Sequence, residues 1–224
     1  FKASETGLIA EDELKDAEKS MGINAYNQEY ECSFDSPIIG SYYGEMIKDI
    51  SSRNHVRDIP TESATQKFTA WDLGISDSTS IWVCETIGGE VRLMDYYENH
   101  GQGLDHYIAW LDENKYRDYT HILPHDVQVR ELQTGKSRYE FLTDAGLNID
   151  IAPKSGVEDG IMAVRKMLPN CYFNKDTTKF GVECLRNYRR VFNEKLKILS
   201  IRYEHIRDYG KNKLDTTIRY NIRW

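Results

Sequence analysis

The sequence contains no run of about 18–20 apolar residues, the length a membrane span needs, and no secretory leader is read in it. No membrane partner is therefore expected. Cysteine is scarce: Cys32, Cys84, Cys171 and Cys184 are scattered, and no two form a CxxC pair. Structural zinc and a dense disulfide framework are not expected, and reduced thiols in a cytoplasmic protein are. Positive charge is not in excess, since the formal net charge is -7. That argues against nucleic-acid binding driven by overall charge, but leaves room for a local basic face. A nucleotide-binding P-loop is missing as well. Thr134–Ser137 reads TGKS, but the motif needs a glycine where Arg130 stands. No GxSxG elbow accompanies the six histidines, so a Ser-His-Asp hydrolase is not expected. There is no internal repeat and no low-complexity tract.

What remains is an ordinary balance of 40% hydrophobic and 29% charged residues over 224 positions. That suits one sizeable domain, or one domain with a linker. The chain starts at Phe1 rather than Met, and the expectation is a piece of a longer polypeptide.

Residues 1–65 read as an acidic helix after Thr6, then a connecting segment rich in turn formers, with one helix near Tyr43–Ile50. From residue 66 the pattern changes. KFTAWDLG and STSIWVCETI are β-rich runs, and Gly88-Gly89 turns the second into EVRLMDYYE. In that third strand Val91, Leu93 and Asp95 fall on one face by alternation. Beyond it, helices and strands alternate. Leu104–Glu113, Ser137–Ala145, Val157–Leu168 and Phe180–Phe192 have helical periods; THIL, LNIDI and CYFN are short strands. This order predicts an α/β fold, a mixed sheet with helices on both faces.

The chemistry centres on carboxylates. Asp72 sits where an apolar strand meets a glycine turn, and Asp77 follows on the loop. A carboxylate at a strand end is held rigidly yet reaches the surface, as a metal ligand must. An ordinary turn cap and a solvated loop acid are the competing readings. Asp126, in HILPHDV, lies just past another strand, and His121 and His125 bracket its loop. If the two strands are neighbours, Asp72 and Asp126 share a hard-oxygen site suited to Mg2+ or Mn2+. Two such ions about 3.5–4 Å apart clamp both oxygens of a phosphodiester under attack. Asp208 and Asp215, seven residues apart in the tail, offer a third ligand or merely a solvated face. Arg130, Lys136 and Arg138 are candidates for DNA phosphate contacts.

In order along the chain, QEYECSF (28–34), WDLGISDSTSIW (71–82), DYYENHGQGLDHYI (95–108), LPHDVQVRELQTGKSRYEFL (123–142), VEDGIMAVRKMLPNCYF (157–173) and LRNYRRVFNEK (185–195) resemble the nuclease domain of large terminase subunits of tailed double-stranded DNA phages. The resemblance covers most of residues 25–198. It implies an RNase H-like core and a metal-dependent endonuclease that cuts double-stranded DNA during genome packaging, by two-metal hydrolysis. Asp72 matches the family's first metal-binding Asp, and Asp126 in LPHD matches the second. The third lies near the family's C-terminus. The tail HIRDYGKNKLDTTIRY keeps a seven-residue gap between Asp208 and Asp215, with Asp215 the better match, but lacks the family's Ser-His and Ala-Asp-Ala elements. Asp77 and His125 are read as groups beside the metal site. Residues 1–65 are then a linker or the end of a preceding ATPase domain, and 66–224 the nuclease. The implied partners are double-stranded DNA, that ATPase domain, a portal and a small terminase subunit, in the host cytoplasm. Two alternatives stand: a non-catalytic DNA-gripping or docking module of the motor, and another RNase H-like resolvase or integrase.

Overall fold

The computed structural model describes residues 3–7, 9–21, 26, 30, 41–60, 66–74, 78–130, 135–193 and 198–204. A single turn, α1 (Ala3–Thr6), precedes α2 (Glu11–Met21). Glu11, Asp12 and Glu13 in the first turn of α2 complement the positive end of its dipole. Then come α3 (Gly44–Ser52) and β1 (Val56–Arg57). Three longer strands follow: β2 (Gln66–Asp72), β3 (Ser78–Ile87) and β4 (Glu90–His100). The rest alternates: α4 (Leu104–Glu113), β5 (Thr120–Leu123), α5 (Arg138–Asp144), β6 (Asn148–Ile151), α6 (Val157–Met167), β7 (Cys171–Asn174) and α7 (Lys179–Asn187). β8 (Arg189–Asn193) and β9 (Ile198–Glu204) pair antiparallel as a separate two-stranded sheet. Among the described residues no helix is long and apolar enough to cross a membrane.

The main sheet has the order β1-β7-β4-β3-β2-β5-β6. β2, β3 and β4 form an antiparallel meander, and the outer pairs are parallel. Side chains alternate across a pleated strand, so each strand feeds two cores. On one face Phe68, Ala70, Trp82, Leu93 and Phe173 meet Ile47 and Ile50 of α3, Ile161 and Val164 of α6, and Leu185 of α7. On the other, Trp71, Ile81 and Leu123 meet Tyr107 and Leu111 of α4 and Leu142 of α5. Burying each such large apolar side chain contributes roughly 1.5–3 kcal/mol, so both faces must be covered. This is the expected mixed sheet with helices on both faces.

Three sequence expectations are corrected. The packed unit reaches back to Ser41, because Tyr43, Ile47 and Ile50 are buried in the first core and β1 adds to the sheet edge. Such a segment is more than a connection. The expected helix Phe180–Phe192 ends at Asn187, where Tyr188 turns extended (ψ 114°) and the chain enters β8. Asp95 does not share a face with Val91 and Leu93. Cys84 pairs with Leu93 but Val83 pairs with Asp95, so Met94 is an extra residue, a β-bulge. The bulge turns Asp95 to the second face, where its Oδ2 accepts a 3.1 Å hydrogen bond from Tyr116. It turns Tyr96 back into the first core.

Candidate functional site

β2 and β5 are parallel neighbours, with Ala70 opposite Ile122. Asp72 ends β2, and Asp126 lies in a 3-10 turn (His125–Gln128) that follows β5 after Pro124. Both carboxylates therefore stand at the C-terminal ends of adjacent strands. They differ in setting. Asp72 is 3% exposed, whereas Asp126 is exposed, as is His125 beside it. Val127, buried in the second core, pins the turn that carries Asp126.

By strand alternation Asp72 lies on the face of Phe68 and Ala70. Across the meander its register partner is Ser80, and Ser80's partner on β4 is Glu98. Glu98 is the residue that sequence reasoning missed. Regular pairing outward from Ile87 and Glu90 puts Tyr97 opposite Ser80; the bulge at Met94 puts Glu98 there instead. Its carboxylate accepts a 2.5 Å hydrogen bond from the Tyr96 hydroxyl. Burial first, then the charges of Cys184 and Glu98, push the Tyr96 phenol well above its ordinary range, so it stays protonated and keeps donating.

His121 does not face this site. The Trp71 indole N–H donates to Thr69 Oγ1 (2.7 Å), so the Thr69 hydroxyl proton is left for His121 Nδ1 (2.7 Å). His121 Nε2–H then donates to the Arg117 carbonyl (3.1 Å). That chain assigns a neutral imidazole, and burial pulls its pKa below the ordinary value, in the same direction. His121 is a core residue.

The three expected DNA-contacting cations lie near one another, since Arg130 forms a β-bridge with Ser137, which stands between Lys136 and Arg138. Arg130 pairs with Glu140 at 3.3 Å and Lys136 with Asp144 at 2.9 Å, both on the surface, where ion pairs are weak. Lys136 and Arg138 line a cleft of about 600 Å3 with Leu73, Thr79, Tyr107 and Phe141. A capping box holds α5 beside it: the Glu140 N–H donates to Ser137 Oγ, and the Ser137 N–H donates to Glu140. Asp77, Asp208 and Asp215 lie outside the described residues.

No protein-family model matches the sequence, and no curated protein matches it. Solved structures do. The large terminase of a thermophilic bacteriophage, in complex with ATP-gamma-S, superposes over 98% of this chain and 54% of its own, with 16% identity and a TM-score of 0.59. The large terminase nuclease of thermophilic phage G20c with bound cobalt matches over 82% of this chain and 95% of its own, with 16% identity and a TM-score of 0.50. This chain has the fold of a large-terminase nuclease domain. The P22 large terminase nuclease domain agrees, over 66% of this chain and 79% of its own, with 18% identity and a TM-score of 0.50. The chain spans about half the length of the first of these terminases, 47% to 54% across its structures.

Within this RNase H-like fold, Asp72 and Asp126 offer hard oxygen donors, the chemistry of a divalent ion such as Mg2+ or Mn2+. A carboxylate as buried as Asp72 is tolerated only against cations or hydrogen-bond donors, which fits such a group. Among the described residues no three of His, Cys, Asp and Glu come together as a complete metal cage.

Proposed function

We propose that this chain is a metal-dependent endonuclease that cuts double-stranded DNA during phage genome packaging. The observation that carries the reading is the pair of carboxylates at the ends of two parallel neighbours, Asp72 buried and Asp126 exposed. The cobalt-bound G20c nuclease, which shares the fold, supports divalent chemistry. Asp72 and Asp126 hold the metal, with Asp215 or Asp208 as the third ligand and Asp77 and His125 beside them. A divalent ion held by these residues would supply Lewis-acid activation of the phosphodiester. The protein supplies rigidity: the sheet fixes Asp72, and Val127 fixes the turn of Asp126. Arg130, Lys136 and Arg138 bind phosphates, so sequence preference is weak. Residues before Ser41 belong to a linker or an ATPase domain of a longer chain. In the host cytoplasm the partners are DNA, that ATPase domain, the portal and the small terminase subunit.

Plasmid nicking in Mg2+ and Mn2+ tests this. Asp72→Asn and Asp126→Asn each abolish cleavage with little change in melting temperature. The double variant is scarcely worse than either single, because ligands of one site act as a unit. Retained cleavage in Asp72→Asn with an unchanged melting curve rejects the assignment. One observation favours a second reading, a non-catalytic DNA-gripping module: the tail HIRDYGKNKLDTTIRY lacks the Ser-His and Ala-Asp-Ala elements around Asp208 and Asp215. DNA binding without cleavage in either metal would favour it.

A further inference from the structure

The cleft beside β2 has features that a plain phosphate-tracking surface does not need. It opens between the N-termini of α4 and α5, against the residues that follow Asp72. Its volume of about 600 Å3 is that of a small-ligand pocket, commonly ~300–1,000 Å3. Its walls are apolar and aromatic, with Leu73, Leu104, Tyr107 and Phe141. Tyr107 is buried, but Phe141 is 37% exposed, so an aromatic ring is presented to whatever enters.

The polar groups converge on an anion. Arg138 lines the cleft, and the planar fork of its guanidinium matches a phosphate. The N-terminus of α4, which follows Gly103 with no side-chain cap, also borders the cleft. Gln102 and Asp105, also in the lining, offer an amide and a carboxylate to the edge of a base.

We propose that this cleft is a nucleotide pocket that takes one unpaired nucleotide of a DNA strand, its phosphate on Arg138 and its base against Phe141. The inference rests on the DNA-nuclease reading above and adds a preference: the protein engages a frayed or cut end, where a base is free to leave the stack. An intact duplex keeps its bases stacked and cannot fill the pocket.

Fluorescence anisotropy of short labelled oligonucleotides, in low salt without divalent metal, tests it. Wild type should bind the single strand more tightly than a blunt duplex of the same sequence. Arg138→Gln and Phe141→Ala should each weaken single-strand binding roughly tenfold, the scale of one lost stacking or phosphate contact, with far less effect on the duplex. Arg138→Lys keeps the charge without the fork and should fall between. Circular dichroism checks that each variant folds, and Phe141, being partly exposed, is the safer of the two sites. Equal losses on both DNAs would make Arg138 an ordinary backbone contact and overturn the pocket. Displacement of the strand by micromolar deoxynucleoside monophosphate would make this a free-nucleotide site, which also overturns it. A duplex that is bound and cleaved with no single-strand preference sinks only this inference. Binding to neither DNA sinks the nuclease reading as well.

Discussion

His121 shows how much one residue's surroundings decide. Its neutral ring is committed on both nitrogens, to Thr69 and to the Arg117 carbonyl. Burial holds its folded pKa below the ordinary value of 6.5, so the unfolded chain takes up the proton first as pH falls. Its contribution to stability is complete above about pH 6.5 and declines as pH drops from there toward the folded pKa. Wild type should therefore lose melting temperature on acidification. His121→Gln, which can still accept from Thr69 and donate to the carbonyl, should lose less over the same span. Thermal scans between about pH 7.5 and pH 5 compare the two slopes, and parallel slopes would show that His121 titrates normally. At sequence level His121 reads only as one of two histidines bracketing the Asp126 loop. Its core role depends on Thr69, far away in sequence and opposite it in β2.

At the scale of elements, α7 lies against β3 and β4 through Gly181. A Cβ there would collide with the Trp82 ring and with Tyr96, both in the first core. Trp82 is fully buried and cannot move aside. Gly181→Ala should therefore cost about 1–3 kcal/mol by overpacking, despite the better helix propensity of alanine. Urea unfolding measures it; an unchanged or raised midpoint would mean that α7 simply shifts outward. The meander and the helices α4, α5 and α6 are legible in the sequence, because strong alternation or helical period sets each one locally. α7 is legible only at its start. Arg189 and the residues after it continue an outwardly helical run, but they pair with β9 instead, and a pairing partner is not a local property.

For the whole molecule, the proposed nuclease activity requires a third metal ligand from the tail. The two tail carboxylates keep the family-like gap but not its neighbours. If Asp215 completes the site, Asp215→Asn should cut plasmid cleavage by orders of magnitude and Asp208→Asn by much less. Mn2+, which tolerates imperfect coordination, should restore more activity than Mg2+ in whichever variant lacks a ligand. Nicking rates of wild type and both variants in each metal decide it. Equal rates for all three proteins in Mg2+ would exclude both tail residues. Glu98→Gln is then the informative next variant, since Glu98 shares a face with Asp72 through Ser80.

Local pattern is enough for the class of fold, the two carboxylates at strand ends and the missing P-loop. Period, turn residues and the placement of Asp after an apolar run carry all three. Which residues face each other is a matter of packing. One extra residue, Met94, reverses the faces of everything beyond it on β4, sending Asp95 to Tyr116 and bringing Glu98 opposite Ser80. A strand has period two, so a single inserted residue exchanges its two faces, and nothing in the local pattern of EVRLMDYYENH marks where the insertion falls. The cleft beside β2 is likewise a product of assembly. Gly74, Gly103 and Arg138 are far apart along the chain, and only the packing of α4 and α5 on one face of the sheet brings them to one mouth.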